Sequence, residues 1–300
     1  MYLCKSKNHK FLRTAIILLI LTVFCPFSSY SQEFGASVAP PEGYLIKFYP
    51  KVYLTSAYFS DKGKALNLTE VTQLIYIETP VYIQYGLTNS ISVGVILPPA
   101  YSYQEILPDL RWDPIDRYSV KELWLTLQHR YLTFLTMGGE LIAASSIRIK
   151  IPLAKKKDWE DGLRVGDDQF DIYPVYYFDY SSKAGWYTEN AIGYKFRLKK
   201  GSIKPFDELT FRSELGFELF PAFQFRTFIY TDMTRFRNGE FSEDNRKFFE
   251  NEGSLHTWGY GVSIWPSQNS QIYIATGGDW SGRNQYRGMH WTVGLTLLKF

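Results

Sequence analysis

The sequence predicts an all-β protein, a transmembrane antiparallel up-and-down β-barrel of about 12 strands. Three observations predict it. Strands of about twice the ordinary length alternate apolar and polar residues, and short turns alternate with long loops along the chain. The third is the aromatic content, with 23 Tyr, 22 Phe and 8 Trp in 300 residues. Such residues form the girdles of membrane barrels, where ring bodies lie in lipid and polar tips reach the headgroups.

The clearest strands form a hairpin from Asp207 to Met233, joined by a turn at 220–222. In residues 208–219 one parity is almost entirely apolar and the other is polar or charged. This period of two places the two kinds of side chain on opposite faces of a strand. Strands of soluble sheets average about five or six residues, so this hairpin suggests strands that cross a bilayer and face water on their inner side. The alternative for one hairpin is a long ribbon packed on a soluble core.

Residues 1–31 are predicted to be a cleaved signal peptide. Four basic residues precede the apolar run Ala15–Cys25, and small residues follow up to Ser31, which is the pattern of a secretory signal. Without this segment the chain has a formal charge of 29 − 30 = −1, from 33 basic residues less four and 30 acidic residues. This balance gives no reason to expect nucleic acid as a partner. Both cysteines also leave with the signal, so we expect no disulfide and no thiol chemistry.

The remaining chain is predicted to contain a short periplasmic leader, 32–43, and the outer-membrane barrel, 44–300. The leader is irregular, and alternation begins directly after it. The alternating segments that define the predicted strands are, in chain order, Ile46–Tyr58, Val71–Ile83, Ile91–Leu97, Leu123–Leu127, Leu141–Ile151, Phe170–Tyr180, Trp186–Leu198, Leu209–Leu219, Phe223–Met233, Trp258–Ile264, Ile272–Ile274 and Trp291–Leu297.

The connections between these strands alternate in length. The short ones are 86–89, 136–139, 181–185, 220–222 and 266–269, and the longer ones are 60–69, 98–118, 153–168, 199–207, 236–254 and 281–287. Short periplasmic turns, long extracellular loops and an even number of strands are typical of barrels in the bacterial outer membrane. Soluble sandwiches have no reason to segregate loops by length in this way. The expected surroundings are therefore a lipid bilayer.

The last strand ends at Phe300, a terminal aromatic residue that predicts recognition by the outer-membrane insertion machinery. Its phase is imperfect. Trp291–Leu297 share one apolar parity, whereas Leu298 and Phe300 fall on the other. Because a shift of one residue exchanges the two faces of a strand, this predicts a bulge or a slip near the C-terminus.

Four short motifs resemble the outer-membrane transporters of the phenol-degradation MetA-like family, which is distantly similar to the FadL-type channels. They are Tyr85-Gly86-Leu87-Thr88-Asn89, Arg164-Val165-Gly166-Asp167-Asp168-Gln169-Phe170-Asp171, Tyr187–Tyr194 and Gly294-Leu295-Thr296. The resemblance implies a monomeric barrel that passes small, often hydrophobic or aromatic, molecules. One departure concerns the leader, which is too short to supply the N-terminal hatch of the FadL channels.

If the apolar parity faces lipid, the charged parity lines the lumen, because a charge at the lipid midplane costs roughly 2–4 kcal/mol. The predicted lumen-lining residues, a candidate substrate path, are Lys47, Glu78, Glu122, Arg130, Arg148, Asp171, Lys195, Arg197, Arg212, Glu214, Glu218 and Arg226. One interpretation is a polar conduit whose walls set selectivity. The other is that these charges pair and fill the interior, for example Arg212 and Arg226 with Glu214 or Glu218. About twelve strands enclose a lumen that is compatible with either.

No motif predicts catalysis, a metal site or a cofactor. The mature histidines are His129 and His256, on the predicted lipid parity, and His290, which faces inward near Asp279 and Ser281 if the last hairpin pairs regularly. No nucleophile, base and orienting group are joined in one motif, and no cluster has metal-ligand spacing. We therefore expect a channel and not an enzyme. The alternatives are a barrel whose loops 98–118 and 236–254 bind a surface partner, or a barrel enzyme that hydrolyses lipid or peptide.

Overall fold

The computed structural model describes residues 36–60, 62–67, 71–106, 115–120, 122–153, 170–198, 206–220, 225–237, 253–267, 269–283 and 285–299. Throughout these ranges the regular structure is β-strand. No helix in them is long and apolar enough to cross a membrane. The predicted signal peptide 1–31 and Phe300 lie outside the described residues, as does the first part of the predicted leader.

The described strands form one closed antiparallel β-barrel of twelve strands, which confirms the predicted fold class. Four of the wall strands consist of two segments each. The strands are β1 (Tyr44–Phe48 and Lys51–Phe59), β2 (Val71–Glu78 and Val81–Gly86), β3 (Ile91–Leu97 and Pro99–Ile106), β4 (Ile115–Val120 and Glu122–Leu135), β5 (Gly139–Pro152), β6 (Asp171–Ser182), β7 (Trp186–Arg197), β8 (Asp207–Phe220), β9 (Phe225–Arg237), β10 (Ser254–Ser267), β11 (Ser270–Arg283) and β12 (Gln285–Lys299), with a short strand at Ala65–Asn67 beside the end of β1.

The barrel closes where β1 pairs with both β2 and β12. Tyr44 lies opposite Tyr85 on one side and opposite Lys299 on the other. The pairing of β1 with β12 continues in the same register past the interruption of β1, with Lys51 opposite Thr292. Both described ends of the chain therefore lie at the rim that carries the short turns, as the sequence predicts for the periplasmic side.

The interruptions of β1, β2 and β3 are neighbours in the wall and coincide with prolines. They fall at Pro50, Pro80 and Pro98. Proline has no N–H to donate to a ladder, so it interrupts strand pairing. Neighbouring backbone groups bridge the gap, since Tyr49 N donates to Pro80 O at 3.3 Å and Val293 N donates to Pro50 O at 3.1 Å. Strand pairing is therefore interrupted at these prolines, but backbone hydrogen bonds keep the wall continuous.

The two faces of the wall differ as the alternation predicts. The outward positions carry exposed large apolar side chains around the barrel, such as Leu127, Ile192, Leu215, Ile229 and Val293. The inward positions carry most of the buried polar and charged side chains and a set of tyrosines. An apolar outer face and a polar interior are what a barrel in lipid requires.

Glycines on the inner face lie beneath aromatic rings of the adjacent strand. In four cross-strand pairs of the described strands, a Cβ on the glycine would overlap the ring of its direct partner: Gly216 with Tyr187, Gly261 with Phe228, Gly259 with Tyr230, and Gly294 with Tyr273. Three interfaces are involved, β7–β8, β9–β10 and β11–β12. The rings therefore lie flat along the wall and do not point across the lumen.

Three details of the predicted strands are wrong. Residues 99–106 and 115–118, which belong to the predicted loop 98–118, are strand and continue β3 and β4. β3 continues because Pro98 interrupts it without ending it. The predicted loop 281–287 is mostly strand, since β11 extends to Arg283 and β12 begins at Gln285. No register shift accompanies Leu298, which pairs with Leu45 in regular order. Leu298 faces inward because Ala39 and Leu45 give it an apolar contact there.

Candidate functional site

The candidate site is the inner face of the barrel, where charged side chains and aromatic rings lie together. Toward the long-loop rim, six charged residues on β4 to β8 form an ion-pair network. Lys150 Nζ lies 2.5 Å from Asp171 Oδ2 and 3.9 Å from Glu122 Oε2. Lys195 Nζ lies 2.7 Å from Glu208 Oε2, and Arg197 contacts both Glu208 at 3.0 Å and Asp171 at 3.9 Å. Three cations face three carboxylates, so the network is balanced in charge.

Arg148 lies on the inner face of β5, two residues from Lys150, and its surroundings are aromatic. Its Nη2 donates to the hydroxyl of Tyr177 at 2.6 Å, and its guanidinium carbon lies 5.7 Å from the ring centre of Tyr173. Among the described residues it forms no ion pair. Nearby, Tyr82, Trp124 and Ile96 form a buried cluster against which Tyr49 and Tyr173 pack. We call Arg148 together with Tyr49, Tyr82, Trp124, Tyr173 and Tyr177 the Arg148 cluster.

The opposite part of the wall carries a second charged group around Arg212 on β8. Arg212 lies 3.4 Å from Asp232 and 3.9 Å from Glu214, and 4.9 Å from the ring centre of Tyr230. Tyr187 donates its hydroxyl proton to Glu214 Oε1 at 3.0 Å. Pairing of Arg212 with Glu214, one of the alternatives that the sequence leaves open, is thus present, but Asp232 is the nearer carboxylate.

Arg226 lies toward the short-turn rim and stacks between two rings. Its guanidinium carbon is 4.5 Å from the ring centre of Trp265 and 4.9 Å from that of Tyr187. Arg226 forms no ion pair with a described carboxylate, although Glu218 is its direct cross-strand partner. Cation–π contacts hold it on the wall, and the pairing with Glu214 or Glu218, one of the alternatives that the sequence leaves open, is not seen among the described residues.

The remaining predicted lumen residues form no ion pair with the network or with the group around Arg212 among the contacts described. Lys47 is buried and its Nζ lies 6.0 Å from the ring centre of Tyr82. Glu78 accepts a hydrogen bond of 3.4 Å from Tyr76. Arg130 lies at the short-turn rim, where its Nη2 donates to Asn89 O at 2.6 Å. The twelve predicted residues therefore belong to several separate groups along the wall.

The described part of the leader, residues 36–43, folds against the inner face at the short-turn rim. Ala36 N donates to Asp179 Oδ2 at 2.6 Å, and Ser37 O accepts from Gln128 Nε2 at 3.0 Å. Ala36 also packs against Ala144, Val175, Tyr177 and Ala191. The sequence predicts a leader too short to act as a hatch, yet even these few residues occupy part of the lumen, and Ala36 contacts a member of the Arg148 cluster.

The histidines give no catalytic arrangement in the described part of the chain. His129 and His256 contact Tyr131 and Trp280 with ring centres 6.2 and 6.0 Å apart. His290 is buried, and its Nε2 lies 2.5 Å from the hydroxyl of Tyr230. Asp279, a predicted neighbour of His290, instead accepts from Thr257 and Tyr53. The described residues contain no group of three or more His, Cys, Asp or Glu arranged to hold a metal ion.

Sequence reasoning missed the aromatic part of this site. Trp124, Tyr177 and Tyr230 share the parity of the predicted lumen charges, so parity alone identifies them as inward. Tyr49 gave no such signal, because it lies at the proline interruption of β1, where alternation breaks. The inward position of the leader had no sequence signal either.

Comparison with known proteins assigns the fold. No family model and no curated protein matches the sequence. The crystal structure of an outer membrane channel from Pseudomonas putida F1 is similar with a TM-score of 0.72 and 11% sequence identity, covering 90% of this chain and 100% of that chain. Two further solved structures fall below a TM-score of 0.5 and add nothing to the assignment: a NanC porin (0.49, 7% identity, 84% of this chain and 98% of that chain) and the translocator domain of the autotransporter NalP from Neisseria meningitidis (0.45, 8% identity, 96% and 95%). Together with the apolar outer face, this fold assigns the protein to the bacterial outer membrane.

Proposed function

We propose that this barrel is an outer-membrane channel that passes small molecules, aromatic or partly hydrophobic ones, along a polar and charged lumen. One observation carries the proposal: the inner face combines charged groups with aromatic rings, four of which, from Tyr187, Phe228, Tyr230 and Tyr273, lie flat on the wall over glycines. A structural filling of the barrel needs side chains that pair and interdigitate across the interior. Rings stacked along the wall instead give a small aromatic molecule surfaces to contact on its way through.

Two further lines support this function. The solved structure from Pseudomonas putida F1 is described as an outer membrane channel, and it shares the barrel over its whole length. The short motifs that resemble the MetA-like transporters suggest small, often aromatic, cargo. The same resemblance suggests that the barrel acts as a monomer.

Single-channel conductance of the refolded protein in a planar bilayer tests the proposal. The charge on the wall sets ion selectivity if water and ions pass beside it. We therefore expect Arg212→Glu to shift the reversal potential in a KCl gradient toward cation selectivity. The matched control is Arg235→Glu, since Arg235 is exposed at an outward position of β9 and pairs with Ser254.

Small aromatic compounds added to one side should reduce the current by occupying the lumen. Both variants must first show the heat-dependent gel mobility of a folded barrel. A barrel that folds but passes no current, with or without these compounds, would contradict the proposal. It would favour the alternative that the interior is filled and that the protein binds partners at its surface.

A further inference from the structure

We propose that the Arg148 cluster is a binding subsite for small aromatic anions, with an aryl carboxylate as the simplest member of the class. The inference rests on the proposed function, because the ligand reaches the cluster through the lumen. It goes beyond that function in naming the charge of the ligand and the residue that recognises it.

The first argument is the charge balance of the wall. Lys150, Lys195 and Arg197 each contact a carboxylate within the ion-pair network. Arg148 lies beside this network, yet its side chain contacts tyrosines: Nη2 donates to the Tyr177 hydroxyl at 2.6 Å, and the guanidinium carbon lies 5.7 Å from the ring centre of Tyr173. A neutral hydroxyl accepts a hydrogen bond but does not neutralise a charge. Arg148 therefore remains an uncompensated cation among the described residues.

The second argument is the donor capacity of Arg148. A guanidinium carries five N–H groups in a planar fork that matches a carboxylate in two-point geometry. Among the described residues, its one side-chain hydrogen bond, from Nη2 to the Tyr177 hydroxyl, uses a single donor. The residue is half-buried, and its other side-chain donors have no hydrogen-bond partner among the described residues. A carboxylate both neutralises the charge of the guanidinium and accepts two parallel hydrogen bonds from it.

The third argument is the shape and polarity of the walls. The rings of Tyr82 and Trp124 are buried against Ile96, and Tyr173 packs on the same cluster. Lys195 Nζ lies 5.8 Å from the Trp124 ring centre, but its charge is taken up by Glu208. Beside the guanidinium of Arg148, the cluster thus offers ring faces, which favour an aromatic body over a small hydrated ion.

The leader adds an apolar contact to the Arg148 cluster. Ala36 packs on Tyr177 from the short-turn side, and its amide is held by Asp179. A ligand at Arg148 therefore meets the leader before it reaches the short-turn rim. This places the subsite between the charged network on one side and the leader on the other.

The test is equilibrium binding to the full-length mature protein in detergent micelles, measured by isothermal titration calorimetry with three probes. Benzoate has both ring and charge, benzamide keeps the ring without the charge, and acetate keeps the charge without the ring. We expect benzoate to bind more tightly than either. Because a hydrogen bond to a charged group is lost, Arg148→Gln should weaken benzoate binding by about tenfold or more and leave benzamide unchanged.

Two variants make the result specific. Arg235→Gln removes the same charge from the outer face and should leave benzoate binding unchanged. Arg226→Gln removes another arginine that stacks on rings and forms no ion pair with a described carboxylate. A loss of binding in this variant but not in Arg148→Gln would overturn the assignment to Arg148. Equal binding of benzoate and benzamide would overturn the recognition of charge.

The failure of the subsite and the failure of the channel are distinguishable. A barrel that conducts ions but binds none of the three probes contradicts the subsite and leaves the channel in place. A folded barrel that is silent in the bilayer contradicts the channel, whatever the calorimetry shows.

Discussion

Lys150 and Asp171 form the most buried ion pair among those described, and removing the lysine should destabilise the barrel. Their side chains are 2% and 0% exposed, and Nζ and Oδ2 are 2.5 Å apart. Loss of one partner from a buried pair costs about 3–5 kcal/mol, because a buried charge is left without its partner. Arg197 Nε still lies 3.9 Å from the same carboxylate. We therefore expect Lys150→Met to lower the free energy of unfolding by about 3 kcal/mol, the lower end of that range.

A double variant separates the loss of the pair from the loss of packing. Replacement of a whole buried pair by apolar residues is often close to neutral, so Lys150→Met with Asp171→Leu should regain about 2 kcal/mol relative to Lys150→Met alone. The assay is urea unfolding in micelles, followed by tryptophan fluorescence. Lys183→Met, at an exposed turn position, is the control and should stay within about 0.5 kcal/mol. A cost below about 1 kcal/mol for Lys150→Met, or no recovery in the double variant, would refute this reasoning.

Two other expectations concern the rings and the leader. Gly294→Ala should cost about 1–3 kcal/mol in the same unfolding assay, because its Cβ would overlap the ring of Tyr273 and overpacking strains a fitted contact. Gly278→Ala is the control, since its Cβ meets no atom closer than 3.7 Å; equal costs would show that the ring contact is not responsible. Asp179→Ala removes the acceptor of the Ala36 amide and should raise the frequency of current fluctuations in single-channel traces. Unchanged traces would show that this bond does not hold the leader in place.

The sequence is sufficient for the barrel itself because a membrane barrel repeats one simple rule. Lipid outside and water inside impose a period of two on every strand, and turn lengths alternate between the rims. The rule fails where another contact replaces lipid or water. Leu298 is apolar and inward because it packs on Ala39 and Leu45, and the prolines interrupt β1 to β3 without ending them.

The contacts within the site could not be derived in the same way. Parity places Arg148 and Lys150 on the same inner face, but it does not say which of them has a carboxylate opposite. That depends on the register between strands, which brings Lys150 opposite Asp171 and Arg148 opposite Tyr173. The ion pairs of Arg197 and Lys195 likewise depend on the pairing of β7 with its two neighbours.

The four glycine–ring pairs bear on how the barrel finds its register during folding. A slip of one residue between two strands exposes the wrong face and is opposed by the hydrophobic pattern. A slip of two residues keeps every side chain on its proper face, so hydrophobicity does not oppose it. It would, however, move Tyr187 and Tyr273 off Gly216 and Gly294 and against residues that have a Cβ. It would do the same to one of Phe228 and Tyr230, depending on the direction of the slip, because Gly259 and Gly261 are two residues apart. The contacts between rings and glycines therefore select among strand registers that place the apolar side chains in lipid and the polar side chains in water equally well.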